Sequence, residues 1–318
     1  MSIGITIGGK RFAGFVSGEI RSSISTLSDS FMLTGANVFK NSGVKAGDDC
    51  VLDVAGVPVI TGYMGNMMPD TAGNITIDGR DKTGDMIDCT PGGATTFIKQ
   101  SVLSIIKGLA APFGIEAVGD EGPTVSQFIV NNDETGESAM LRIVSNYGTV
   151  VTSDPDGNLI VSDGSFTNPG AALREGLNIK TAQGMFDTSK RFSAVKAIGQ
   201  NYANPNLSAT ETGQAKRTRP FSYYLSGEIN QSDCRLSAAR IRDYTDASAC
   251  TVVVVSTALD YYPAGTLVTL EAPSLGVNAD MLVESVVLRF EKKTAGVTFT
   301  LVPPSKYGGD KIECEYLK

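Results

Sequence analysis

The sequence predicts a mainly β protein with an α+β insert: two small antiparallel barrels flanking a mixed domain. Three observations carry that expectation. The 318 residues include 35 glycines, which suits many short strands joined by tight turns. Apolar and polar residues alternate near both ends of the chain, over 1–88 and again over 169–304. Between them, residues 89–168 carry two apolar patterns of helical period. Length alone admits two or three domains.

The elements follow in order. Ile3, Ile5 and Ile7 alternate with small or polar residues and predict a half-buried strand. Gly8-Gly9 suits a two-residue hairpin turn, because both positions take positive φ without penalty. Residues 11–17 return, and 28–34 follow as a second polar–apolar segment. Residues 51–54 and 57–64 flank Gly56 as another hairpin, and 74–77 add a strand that alternates Ile75 and Ile77. With a short helix near 82–87, residues 1–88 form the first barrel domain.

The period then changes. Ile98, Val102, Ile105, Ile106 and Leu109 share one helical face, with Thr95 or Thr96 as N-cap and Pro112 as the stop. A second helix over 138–147 places Met140, Leu141, Val144 and Tyr147 together, and Gly148 takes the left-handed capping position. A hairpin over 149–152 and 159–161 surrounds the turn sequence DPDGN. Residues 89–168 therefore read as the α+β insert.

Strand character resumes at about 169, first over 192–198. Residues 200–220 are polar and poor in aliphatics, and read as a long exposed loop. A helix over 232–245 follows. Strands over 251–256, 267–270, 281–290 and 297–302 complete a second barrel within 169–304, closed by Pro303-Pro304. Residues 305–318 have too little pattern to assign and read as a mobile or docking tail.

Composition narrows the function. The chain contains no histidine, so Ser-His-Asp and Cys-His mechanisms are excluded. The commonest general base and zinc ligand is absent with it. Five cysteines, at 50, 89, 234, 250 and 314, contain no C-x-x-C pair and read as free, mostly buried thiols. The net charge of −7 lacks a basic stripe for gripping phosphates. Lys216, Arg217 and Arg219 form the longest basic cluster. An acidic chain suits a soluble assembly component or a surface past which DNA slides, and solubility alone accounts for it equally well. No signal-peptide run and no bilayer-length apolar stretch is visible, which predicts folding in the cytoplasm.

Several motifs are weighed against blander readings. Residues 4–10, GITIGGK, match G-x-x-x-x-G-K, but Arg11 stands where a phosphate loop needs Ser or Thr for Mg²⁺. A hairpin turn is the better account. Asp154, Asp156 and Asn158 hint at a calcium loop, yet its twelfth position is Ser165 rather than a bidentate Glu. Asp85 with Asp88, or Glu116 with Asp120 and Glu121, could serve glycoside hydrolysis. Helix-start charge and an exposed loop explain them more simply. Tyr223-Tyr224 and Tyr261-Tyr262 are the tight aromatic pairs and read as strand or interface residues. No catalytic, cofactor-binding or metal-binding residue is predicted.

A resemblance adds to this reading. The order G-Y-x, a turn, then I-T-I-x-G-R-D-K-T-G-D-M-I-D-C over 62–89 resembles the first barrel of baseplate hub proteins of contractile phage tails. The likeness is to the Mu-type hub, with late-control-D and VgrG proteins as more distant kin. Residues 134–161 resemble the insert of that family through Gly136, Glu137, Ser138, Gly148, Asp156, Gly157 and Leu159. RFSAVKAIGQ, 191–200, resembles the strand entering the second barrel, and 262–308 resembles the closing strands. The ordered set spans most of the chain. The Trp common before the final strands is absent here, with Tyr261 and Tyr262 nearby. The chain also reads as shorter than many relatives, with peripheral decoration trimmed.

The resemblance implies a non-enzymatic structural hub with no cofactor. It implies a homotrimer in which two tube-type barrels per chain make a pseudo-six-fold ring. Such a ring joins a hexameric tail tube protein to a trimeric central spike protein and touches other baseplate proteins. DNA passes through the bore without sequence-specific binding, and nothing inserts into a membrane. The expected location is the virion tail baseplate, after assembly in the host cytoplasm. A tail-tip cell-wall hydrolase, or the hub of a bacteriocin- or secretion-type injection system, is the alternative.

Overall fold

The computed structural model describes residues 2–225, 227–257, 261–292, 294–312 and 314–317. Its first part contains β1 (Ile3–Ile7), β2 (Lys10–Ala13), β3 (Phe15–Ser23), β4 (Ser30–Ala36), β5 (Asp49–Val54), β6 (Val57–Pro69), β7 (Asn74–Asp81) and α1 (Gly84–Asp88). The insert contains β8 (Thr96–Ser101), α2 (Val102–Ala110), β9 (Ala117–Gly119), β10 (Thr124–Ile129), α3 (Gly136–Tyr147), β11 (Val150–Ser153) and β12 (Leu159–Ser162). The last part contains β13 (Ala172–Arg174), β14 (Ile179–Phe186), β15 (Ala194–Gly199), β16 (Leu207–Thr212), β17 (Pro220–Tyr224), α4 (Gln231–Ala247), β18 (Cys250–Ser256), β19 (Leu267–Ala272), β20 (Val277–Glu291) and β21 (Thr294–Val302).

Thirteen strands from both ends of the chain share one largely antiparallel sheet. Its path runs β14-β18-β21-β20-β3-β4-β7-β6-β5-β1-β2, with β19 and β13 branching from β20. The expected pair of separate barrels is corrected here. The path is open, and among the described residues no pairing closes it. The cause is β20. Fifteen residues long, it pairs β19 near its start and β3 near its end, from Ser285↔Ser23 to Glu291↔Ser17. The strand that would close the first half thus bonds to the second half. One apolar core follows from it, holding Ile5, Leu33 and Ile77 together with Val254, Leu288 and Phe299.

The N-terminal hairpin forms as its glycines predict. Gly8 and Gly9 have φ of 56° and 76°, and Ile7 pairs Lys10 across them. GITIGGK is therefore strand and turn, without the following helix that a phosphate loop requires.

The insert has its own core around Ile105, Ile106, Leu109, Met140, Ile143 and Leu159. The first helix begins later than its periodicity suggested. Residues 96–101 are a strand paired with β10, in which Phe97 is buried and Ile98 is 61% exposed. That alternation is a period of two, so Ile98 never belonged to the helical face. Ser101, rather than Thr95 or Thr96, is the N-cap, its Oγ accepting from the Ser104 N–H at 3.1 Å. In α3, Thr135 accepts from the Ser138 N–H, and Gly148 ends the helix at φ 66°.

Two further expectations are corrected. Residues 200–220 are not all loop, because β16 crosses them and pairs with β15. Leu207 and Ala209, with Leu225, Ile229, Cys234 and Ala238 of the β17–α4 region, suffice for a small separate core. The strand expected to enter the second barrel, β15, lies in this separate three-stranded sheet with β16 and β17. The C-terminal segment is docked on its own chain. Ile312, Cys314 and Leu317 join the main core, and Arg191 Nη1 donates to the Leu317 carbonyl at 2.9 Å. Its irregular backbone hid this, since only regular elements show a period; Glu313 and Lys318 lie outside the described residues.

Candidate interaction surface

The acids that a hydrolase would need are dispersed. Asp88 is ion-paired with Arg80, whose hydrogen bond and charge hold its pKa below the usual carboxylate range. Asp85 is exposed on α1. Asp120 Oδ2 accepts from the Asp163 N–H at 3.0 Å, and Glu121 accepts from Ser101 Oγ. Glu116 is exposed. Each serves a local cap, ion pair or solvent contact, and no cleft brings them together. The suspected calcium loop is a turn. Asp154 Oδ1 accepts from the N–H groups of Asp156 and Asn158 at 2.9 and 2.8 Å, and Gly157 has φ 77°. Lys82 Nζ donates to the Asp156 carbonyl at 3.0 Å, so this turn rests on the end of the first part.

A buried acid pair escaped the sequence reading. Asp29 and Asp81 are 9% and 1% exposed. They meet where β4 begins and β7 ends. Asp81 Oδ2 accepts from the Asp29 N–H at 3.0 Å. Asp81 Oδ1 accepts from Ser28 Oγ at 2.7 Å, Thr83 Oγ1 at 2.5 Å and the Thr83 N–H at 3.1 Å. Thr83 stands at the N-terminus of α1 and also bonds the Leu27 carbonyl at 3.0 Å through Oγ1, so Asp81 fixes the passage from sheet to insert. Burial, reinforced by the charge of Asp81, pushes the Asp29 carboxyl up to about 8. The signal was present, because Asp81 is the D of the G-R-D-K-T-G run. Nothing in that run shows that its carboxylate turns inward.

Two grooves among the described residues offer surface for contact. The first carries several charged side chains and lies beside the joint, over β3, β4, β7 and β6. Glu19, Arg21, Met32, Asp78 and Arg80 line a groove of 680 Å³. Glu19 accepts from both Arg21 and Arg289, the latter directly opposite across β3–β20. The second is an apolar groove of 760 Å³ between α3 and α4, lined by Leu27, Met140, Leu141, Phe192, Ile241 and Tyr244. Ser237 Oγ, which donates to the Asn146 carbonyl, ties the two helices together. Among the described residues no helix is long and apolar enough to cross a membrane.

Comparison with known proteins places these features. Residues 2–81 match the family described as Mu phage baseplate assembly protein GpP-like, N-terminal. Residues 83–163 match baseplate hub protein gp44-like, second domain. The baseplate hub protein gp44 of Escherichia phage Mu is 29% identical over 261 residues, covering 73% of this chain and 67% of that protein. The 43 kDa tail protein of prophage MuSo2 from Shewanella oneidensis has the same fold, with TM-score 0.81 at 24% identity over 97% of this chain and 99% of its own. A more remote structure, the E. coli c3393 component of the type VI secretion system, gives TM-score 0.57 at 13% identity over 98% of this chain and 79% of its own. It is described as similar to the T4 tail proteins gp27 and gp5. The boundary between the two family matches falls at Lys82, one residue past Asp81.

Proposed function

We propose, on the premise that this chain belongs to the Mu gp44-like baseplate hub proteins, that it works as a trimeric symmetry adaptor at the tip of a contractile tail. Baseplate hubs of this kind are structural proteins, and the chain's role is mechanical rather than chemical. Each chain supplies two tube-type modules, one from each half of the thirteen-stranded sheet, so three chains present six. The ring then meets a hexameric tail tube on one face and a trimeric spike on the other, and DNA passes through its bore. The observation that carries this reading is the β3–β20 pairing, which joins the two modules in one sheet. A shared sheet favours a constant angle between the modules, which a pseudo-six-fold arrangement of six modules needs, while closure of the ring is a matter of cyclic symmetry between chains. The net charge of −7 suits a bore that does not retain DNA.

The likeness to a type VI secretion component supports a second setting, a hub in a secretion-type injection machine. The ring would be common to both, and only the neighbours would differ.

Light scattering coupled to size exclusion, run at micromolar concentration alone and with the cognate tube and spike proteins, tests the proposal. The expected result is a species of three chain masses that images as a ring with pseudo-six-fold symmetry. A chain that stays monomeric in the presence of both neighbours overturns it.

A further inference from the structure

Two sulfurs from distant parts of the chain meet beneath the C-terminal segment. Cys250 opens β18, and Cys314 lies in the irregular stretch that follows the last strand. Both are buried, and their Sγ atoms are 2.6 Å apart. Reaching a bond of about 2.05 Å needs only a small side-chain shift. Contact with Cys250 lowers the Cys314 pKa against the opposing effect of burial, and the Arg191 charge lowers it further. The same contact, with burial, raises Cys250. The Arg191 charge favours the thiolate at either sulfur, and a thiolate formed at Cys314 is the attacking species. A cavity of 40 Å³ beside the pair, lined also by Arg191 and Asp246, admits a reagent of about water size.

We propose that Cys250 and Cys314 are an oxidisable pair that closes into an intrachain disulfide when the folded protein meets a peroxide. The Cys314 thiolate attacks one peroxide oxygen, the O–O bond breaks, and water leaves once a proton is taken up. The resulting sulfenic acid is attacked by the sulfur of Cys250, which loses its proton, and a second water departs. Two thiols and one hydrogen peroxide thus give one disulfide and two waters. The product fastens the segment after Pro304 to β18. Before oxidation that segment is held by the Arg191–Leu317 hydrogen bond, the Tyr316–Phe186 ring contact at 5.0 Å and apolar packing. A crosslink spanning 64 residues removes freedom mainly from the unfolded chain. This assignment is independent of the hub reading.

Hydrogen peroxide acting on the folded Cys89→Ser protein is the test, because Cys89 is the exposed thiol and its removal prevents exchange. After unfolding, alkylation and digestion, the expected product is a peptide pair joined through Cys250 and Cys314, lighter by two hydrogens than its parts. The oxidised protein melts about 2 °C or more higher, and reductant reverses the shift. Recovery of both cysteines as alkylated thiols, or as separate sulfinic or sulfonic acids, overturns the pairing. A linked pair with an unchanged melting point overturns its fastening role. The same treatment of Cys314→Ser should yield no joined peptide and no shift.

Discussion

Glu19 and Arg289 stand opposite one another in register across the strands that join the two halves of the sheet. Glu19 also holds Arg21 on its own strand, so one carboxylate bridges two guanidiniums. Partial burial works against that carboxylate, yet Arg21 and Arg289 together hold its pKa below the usual value. The contact marks the joint more than it secures it, because the Arg289 side chain is 66% exposed. The apolar face beneath supplies most of the cohesion.

Glu19→Gln should therefore destabilise the chain by less than about 1 kcal/mol, and the loss should shrink in high salt. Urea denaturation at low and high ionic strength measures it. A loss of several kcal/mol would show that the ion pair, rather than the core under it, carries the joint.

Asp29 gives a pH dependence with a definite sign. Its folded pKa of about 8 lies above the ordinary carboxyl value of 3.8, so the native state keeps a proton that the unfolded chain releases. Its contribution to stability is complete below about pH 4 and is lost as pH rises through 8. The facing groups are Asp81, Ser22, the Ser23 backbone and the Tyr261 ring. Asp29→Asn, which cannot ionise, should lose less stability than the parent between pH 5 and pH 9. Equal slopes for the two proteins over that interval would refute the assignment.

Asp81 is the more costly position. Asp81→Ala leaves the N–H groups of Asp29 and Thr83 without their acceptor at a site 1% exposed, and the hydroxyls of Ser28 and Thr83 with only the Asp29 and Leu27 carbonyls. A loss of about 3 kcal/mol or more is expected. Hydrogen exchange should rise first at the start of α1, where Thr83 is anchored. Thermal melting with residue-level exchange checks both, and a stable variant with unchanged exchange at α1 would count against the anchoring role.

Gly62 tests the backbone of the same motif. A Cβ there would stand 2.0 Å from the Arg80 carbonyl oxygen, a backbone atom that a side-chain rotation cannot move. Gly62→Ala should cost about 1–3 kcal/mol and weaken the β6–β7 pairing. The comparison is Gly296→Ala, whose Cβ meets nothing within 4 Å. Equal melting points for the two variants would remove the steric argument.

Much of the local structure was legible. The hairpin at Gly8-Gly9, the α3 cap at Gly148 and most strands of the large sheet follow from turn chemistry and alternation. The motif over 62–89 was legible as a signature, and its residues prove structural. Gly62 and Gly79 admit neighbouring backbone and the Phe31 ring, Arg80 pairs Asp88, and Asp81 organises the passage to α1. What failed were expectations resting on weak or mixed periods. Ile98 extended a helical series by coincidence, and Leu207 was too isolated among polar residues to announce a strand.

The sequence by itself determined the β-rich class, the two insert helices, the absence of histidine chemistry and the family resemblance. These are local or compositional properties, written in spacing and residue type. Only the tertiary structure decided that β3 pairs β20, that Asp29 meets Asp81, and that Cys250 meets Cys314. Alternation tells which face of a strand is apolar, but any neighbour of suitable register can satisfy its backbone N–H and C=O groups. The choice of partner is made by the shared core, between residues as much as 270 positions apart in the case of Glu19 and Arg289.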